Sequence, residues 1–196
     1  IVANNNETNF PQTYRTKESA DLFLILMIHL LKQDGRAGIV LPDGSLTGDG
    51  VKQRIRQKLL EDCNLHTIIR LPNSVFQPYA TVATNLLFFD KGKPTKDIWY
   101  YEHRMPEDYK AYSKTRPIQV KEFEPIKKWW NKRKESEISW KVNIKTIIER
   151  NYDLDIKNPT KNEEEQEHSS KELIEMLKGS FKKSNHLLEQ LIKEIK

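Results

Sequence analysis

The sequence is short of several things, and each shortage excludes something. Its 196 residues include a single cysteine, Cys63, so a disulfide framework is excluded and the usage suits a reducing compartment. No apolar run approaches the ~18 residues that a membrane-spanning helix needs, so no membrane partner is expected. Asn4, Asn5, Asn6 and Glu7 stand where a signal peptide would carry its basic and apolar regions, and a cytoplasmic location is expected. There are only seven glycines, and no glycine-rich loop opens a strand–helix unit near the amino terminus. His, Cys, Asp and Glu do not cluster at metal-ligand spacing, so no metal site is expected, and His29, set in an apolar stretch, reads as a core residue.

What is present suits one domain with an appendage, or two small ones: 37% of the residues are hydrophobic and 31% charged. The apolar residues concentrate between Asp21 and Tyr101, enough for one modest core. The net charge of +5 is uneven, because residues 102–150 hold 13 Lys/Arg against 8 Asp/Glu. That basic middle has two readings, a phosphate-facing surface or a solvated one.

Hydrophobic periodicity divides the chain. Residues 1–16 are polar and read as a loop. Residues 19–33 are apolar nearly all round, which predicts a buried helix, with Thr16 or Ser19 able to cap its start and Gly35 its end. Residues 37–41 form a short β-branched run ended by Pro42, hence a buried strand. Residues 43–50 are a Gly- and Asp-rich loop, and 51–63 an amphipathic helix with Val51, Ile55 and Leu59 on one face. Residues 66–71 and 84–90 read as two more strands joined by 72–81. The order helix, strand, helix, strand, strand predicts an α/β layer architecture. Residues 101–140 read as an irregular extension, 142–150 as a short helix and 151–159 as a turn-rich loop. From 163 to 196 the apolar positions Leu173, Leu177, Phe181, Leu188, Leu191 and Ile195 recur at mostly three- and four-residue steps, predicting a long amphipathic helix. The expected division is 1–101, 102–160 and 161–196.

Several segments occur in one order: Ile39-Val40-Leu41-Pro42-Asp43-Gly44, Gly48-Asp49-Gly50, Leu65-His66-Thr67-Ile68-Ile69-Arg70-Leu71-Pro72-Asn73 and Thr84-Asn85-Leu86-Leu87-Phe88-Phe89-Asp90. Asp97-Ile98-Trp99-Tyr100-Tyr101, Tyr112-Ser113-Lys114-Thr115, Trp129-Trp130-Asn131 and Asn151-Tyr152-Asp153-Leu154-Asp155-Ile156-Lys157-Asn158-Pro159 follow. Taken together they resemble the modification subunit of type I restriction–modification systems, an adenine-specific DNA methyltransferase. The resemblance implies methyl transfer from S-adenosylmethionine to adenine N6 in duplex DNA, with the target base flipped into a pocket. It implies the second half of a doubly wound methyltransferase sheet ending in an antiparallel hairpin, followed by the extension and the long helix. Family members hold the cofactor with a glycine-rich loop and an acidic residue, and the amino group with an Asn/Asp-Pro-Pro-aromatic loop. None of these occurs here, and Asn9-Phe10-Pro11 lacks the double proline. The chain is therefore expected to be a carboxyl-terminal fragment that neither binds cofactor nor methylates by itself, with no catalytic residue of its own.

The resemblance also carries site residues. Phe76, between the last two strands, matches the aromatic residue that stacks on the flipped base, with Tyr79 as substitute; the structural alternative is that Phe76 plugs the end of the sheet. Asp43, Gly44 and Asp49 follow a strand's carboxyl end, where ligands bind in open α/β sheets, and either border the base or DNA or simply connect elements. Lys52, Arg54, Arg56 and Lys58 read as an outer charged face or as phosphate contacts, and Trp129 and Trp130 as packing residues or nucleic-acid platforms. Leu177, Phe181, Leu188 and Leu191 are the expected contact to a specificity subunit. A second modification subunit, a restriction subunit and double-stranded DNA complete the implied partners. Two other readings stay open: a non-catalytic protein/DNA interaction module on a degenerate methyltransferase scaffold, and an unrelated α/β domain that shares only the layering.

Overall fold

A computed structural model describes residues 6–160 and, further on, residues 174, 175, 177–182, 184, 185, 188 and 190. The chain divides into two compact units, Ile1–Thr160 and Lys161–Lys196.

The first unit is built on one five-stranded sheet. Its strands are β1 (Arg36–Pro42), β2 (Cys63–Leu71), β3 (Thr84–Lys91), β4 (Asp97–Glu102) and β5 (Ser139–Asn143), in the order β1-β3-β2-β4-β5. Strand β3 runs antiparallel to both β1 and β2, so a reversed strand lies between two that share a direction. Strand β4 is parallel to β2, and β5 is antiparallel to β4. The expected β2–β3 hairpin is present, and the sheet continues past it.

Alternation along the strands separates two apolar layers. Leu65, Ile68, Leu87, Phe89, Ile98 and Tyr100 pack with Leu24, Ile25 and Ile28 of α1 (Ser19–Leu30) and with Ile55 and Leu59 of α3 (Val51–Asp62). Ile69, Leu71 and Tyr101 face the other way and meet Ile126 of α4 (Glu124–Trp130). Trp129 lies tilted at 5.0 Å from Tyr101, and Trp130 meets Phe88 edge-on at 4.9 Å, so this pair covers the sheet. Cys63 is fully buried, and burial pushes its thiol pKa up.

Several expectations need correction. Helix α1 ends at Leu30, before Gly35, and Glu18 rather than Thr16 or Ser19 is its N-cap. It is not buried all round: Phe23 is 60% and Leu30 68% exposed. His29 is exposed rather than a core residue, and lines a groove of about 560 Å³ with Phe10, Tyr14 and Leu26. Strand β1 is an edge strand, with Val40 half exposed, because the sheet as described pairs only its β3 side. The 43–50 loop opens with a helical turn, α2 (Asp43–Leu46). The stretch read as irregular holds α4 and the start of β5, and Val142 belongs to β5 rather than to the following helix α5 (Ile144–Glu149). Strand β5 alternates too briefly, over five residues, for its period to stand out in the sequence.

In the second unit the described residues are helical, and Ile174, Leu177, Phe181 and Leu188 are exposed by 51–67%. Leu191 lies outside the described residues.

Candidate functional site

The carboxyl ends of β1 and β2 converge on the start of β3, since Pro42 and Leu71 both register with Thr84. This is the end of an open α/β sheet where ligands bind. Asp43, the first residue past β1, donates its backbone N–H to the Ala83 carbonyl at 3.0 Å. Its carboxylate accepts the Asn85 side-chain amide at 2.6 Å. Asn85 is almost completely buried, yet its own Oδ1 and the neighbouring Thr84 Oγ1 have no hydrogen-bond partner among the described residues. A buried polar atom left unmatched costs roughly 1–3 kcal/mol, which makes this pair at the strand end a candidate site.

Two loops flank this pair. The loop after β2 winds through turns closed by Val75 N–H to Pro72, Gln77 N–H to Ser74 and Tyr79 N–H to Phe76 carbonyls. At its tip Phe76 is 42% and Tyr79 85% exposed, and neither belongs to the apolar layers. Both residues are exposed at the loop's tip.

The loop after β1 is held differently. Arg56, on α3, is 2% exposed and donates to the carbonyls of Thr47, Gly48 and Tyr152, each at 2.6 Å, and of Ser45 at 3.4 Å. Burial lowers its pKa, while Asp153, Asp21 and Asp49 raise it. Arg56 is therefore neither a phosphate contact nor a solvated surface residue; it clamps the loop. Gly48 (φ 86°) and Gly50 (φ 70°) give the loop its left-handed turns, which residues with a Cβ rarely adopt. Gly44 and Asp49 are exposed, and Asp43 is half-buried against Asn85. The rest of the α3 charge is spent locally: Lys52 pairs with buried Asp21 at 3.0 Å, Lys58 with Asp62 at 2.7 Å, and Arg54 donates to the Thr13 carbonyl.

The turn-rich segment after α5 proves to be a latch across these elements. Leu154 donates to the Leu46 carbonyl and accepts the Tyr100 hydroxyl, Arg70 pairs with Asp155, and Asn158 reaches Glu102 and the Glu137 carbonyl. The structure thus brings Asp43, Phe76 and Tyr79 to one end of the sheet, with Asn85 beneath. Sequence reasoning missed Asn85, although a Thr-Asn pair opening an apolar strand was a signal. It also missed the burial of Arg56, for which Tyr152, 96 positions away, supplies a partner.

A profile of the N-6 DNA methylase family matches residues 2–168. The chain belongs to this family. It is 52% identical over 164 residues to the EcoEI type I restriction enzyme methylase subunit of Escherichia coli, matching 80% of this chain and 34% of that protein. It is 28% identical over 189 residues to the MpnII methylase subunit of Mycoplasma pneumoniae, across 91% of this chain and 34% of that one. The chain thus spans about a third of the length of these relatives. Among solved structures it is similar to a modification subunit assigned to a type I restriction enzyme of Vibrio vulnificus, with TM-score 0.74 and 43% identity over 79% of this chain and 35% of that one. A chain from a type I restriction–modification complex superposes with TM-score 0.74 at 35% identity, covering 94% of this chain and 40% of that one.

The family uses S-adenosylmethionine. Among the described residues, β1 passes into α2 through Pro42-Asp43-Gly44, with no glycine-rich turn of the kind that would hold this cofactor. No helix among the described residues is long and apolar enough to cross a membrane.

Proposed function

We propose that this chain forms the base-holding, carboxyl-terminal part of an adenine-N6 DNA methyltransferase subunit in a type I restriction–modification system. The observation that carries the reading is the exposed Phe76 at the sheet end where β1 and β2 finish, the end that also holds the Asp43–Asn85 pair, in a chain of the N-6 DNA methylase family. The Phe76 ring stacks on the flipped adenine, worth ~1–3 kcal/mol. Tyr79 adds a second aromatic face, and Asp43, Gly44 and Asp49 border the base or its backbone.

Cofactor binding and the groups that accept the amino hydrogens come from the two thirds of the relatives that this chain does not span. That portion packs on the open edge of β1 and on the exposed Phe23, Leu26 and Leu30 of α1, which otherwise leave apolar side chains in water. Alone, the chain neither binds S-adenosylmethionine nor methylates DNA. The working enzyme acts in the cytoplasm on double-stranded DNA, joined to a specificity subunit, a second modification subunit and, for cleavage, a restriction subunit. Leu177, Phe181 and Leu188, with Leu191, dock on the specificity subunit.

Calorimetry tests the division of labour. S-adenosylmethionine titrated into the purified chain should give no binding heat, whereas the complete enzyme binds it; micromolar binding by the chain alone would overturn this assignment.

A further inference from the structure

The loop that carries Phe76 is held at Val75, which packs against the Ile69–Tyr101 layer, at Ala83, whose carbonyl accepts the Asp43 N–H, and at Ser74. Ser74, two residues before Phe76 and 3% exposed, accepts the Tyr112 backbone N–H at 3.0 Å and lies 3.7 Å from Met105 Sδ. Behind it sits a buried polar chain. The Tyr112 hydroxyl donates to the Glu122 carboxylate and accepts from His103 Nε2 at 3.1 Å, which fixes the histidine proton on Nε2. Glu122 also accepts the Gln119 N–H at 2.6 Å, where the chain turns into α4. His103 stacks on Phe123 at 5.3 Å and donates its backbone N–H to the Arg70 carbonyl near the end of β2. Tyr112 is fully buried and His103 6% exposed.

We propose that residues 102–123 brace the Phe76 loop, with Ser74 and Tyr112 as positioning residues that hold the ring where it meets the target base. The proposal rests on the base-stacking reading of Phe76. Phe76 itself is 42% exposed at the tip of the loop, so its aim depends on how the loop around it is held. A network whose every member is paired is rigid, which is what a positioning device needs. A misplacement of about 1 Å is enough to cost about a hundredfold in rate.

The test uses the complete methyltransferase with two duplexes, an ordinary one for turnover and one with 2-aminopurine at the target adenine, a probe that is dark when stacked and bright when extruded into water. Ser74→Ala should lower kcat about tenfold, the effect of losing one buried hydrogen bond, and brighten the probe toward the level of Phe76→Ala. The KM for S-adenosylmethionine should stay within about twofold, since only the base side is disturbed. Ser74→Thr keeps the hydroxyl and should recover most of the loss. Tyr112→Phe keeps the N–H on Ser74 but cuts the link between His103 and Glu122, and should show the same pattern more weakly. If Phe76→Ala abolishes stacking while Ser74→Ala retains normal kcat and a dark probe, the brace is overturned and the base-stacking reading survives. If Phe76→Ala is itself normal, that reading falls and the brace with it. Equal losses for Ser74→Ala and Ser74→Thr, with weakened cofactor binding, would mark a general fold defect and also overturn the proposal.

Discussion

Two loops share the carboxyl end of this sheet, and they are built in opposite ways. The one after β1 is clamped: a buried guanidinium reaches four carbonyls across and beyond it. The one after β2 is secured near its base, at Ser74, and carries its aromatic residues outward. The first holds the fold at the site's border, and the second is free to present a surface to a ligand. Damage to the first should therefore appear as lost stability, and damage to the second as lost activity.

The largest expected effect follows from the clamp. Arg56→Ala should destabilise the domain by about 3 kcal/mol or more, since it leaves several buried carbonyls unmatched. Arg56→Lys should rescue little, because an ammonium cannot reproduce the planar fork. Chemical denaturation reads both, and a near-neutral Arg56→Ala would erase the contrast between the loops. Next comes Phe76→Ala, which should cut methylation by the complete enzyme about ten- to hundredfold while shifting the unfolding midpoint very little. A large drop in melting temperature would instead favour a plug at the sheet end.

Why the loops could not be told apart in the sequence is a physical matter. Charged residues on an outer helix usually meet water, so Arg56 looked like Lys52 and Arg54. Its burial is decided by Tyr152 and the 47–48 backbone, which no local pattern encodes. Strands β2 and β3 and helix α3 were legible because their periods run for eight residues or more. The five-residue β5 was not, and the exposed face of α1 read as core because its apolar residues encircle the helix. Phe76 came from family resemblance alone, and Asn85, at the head of an apolar strand, passed unread as a site residue.

Smaller effects sharpen the comparison. Burial lowers the pKa of His103 and of His66, with Arg133 adding to the effect at His66. The unfolded chain then binds protons that the folded one refuses, so the stability these neutral histidines contribute is present above about pH 6.5 and declines as pH falls below it. Replacing His103 with Gln should flatten that decline, measured as denaturation midpoints between pH 5 and 7. Leu177→Glu with Leu188→Glu should leave the α/β unit's melting temperature unchanged and weaken co-purification of the complete subunit with its specificity subunit. Undiminished assembly would remove the tail from the interface.

The central claim, that Phe76 holds the extruded adenine, is tested most directly by 2-aminopurine fluorescence at the target position of the bound duplex. The wild-type enzyme should keep the extruded probe dark by stacking, and Phe76→Ala should make it bright at equal DNA occupancy. Identical fluorescence from the two enzymes would contradict the account.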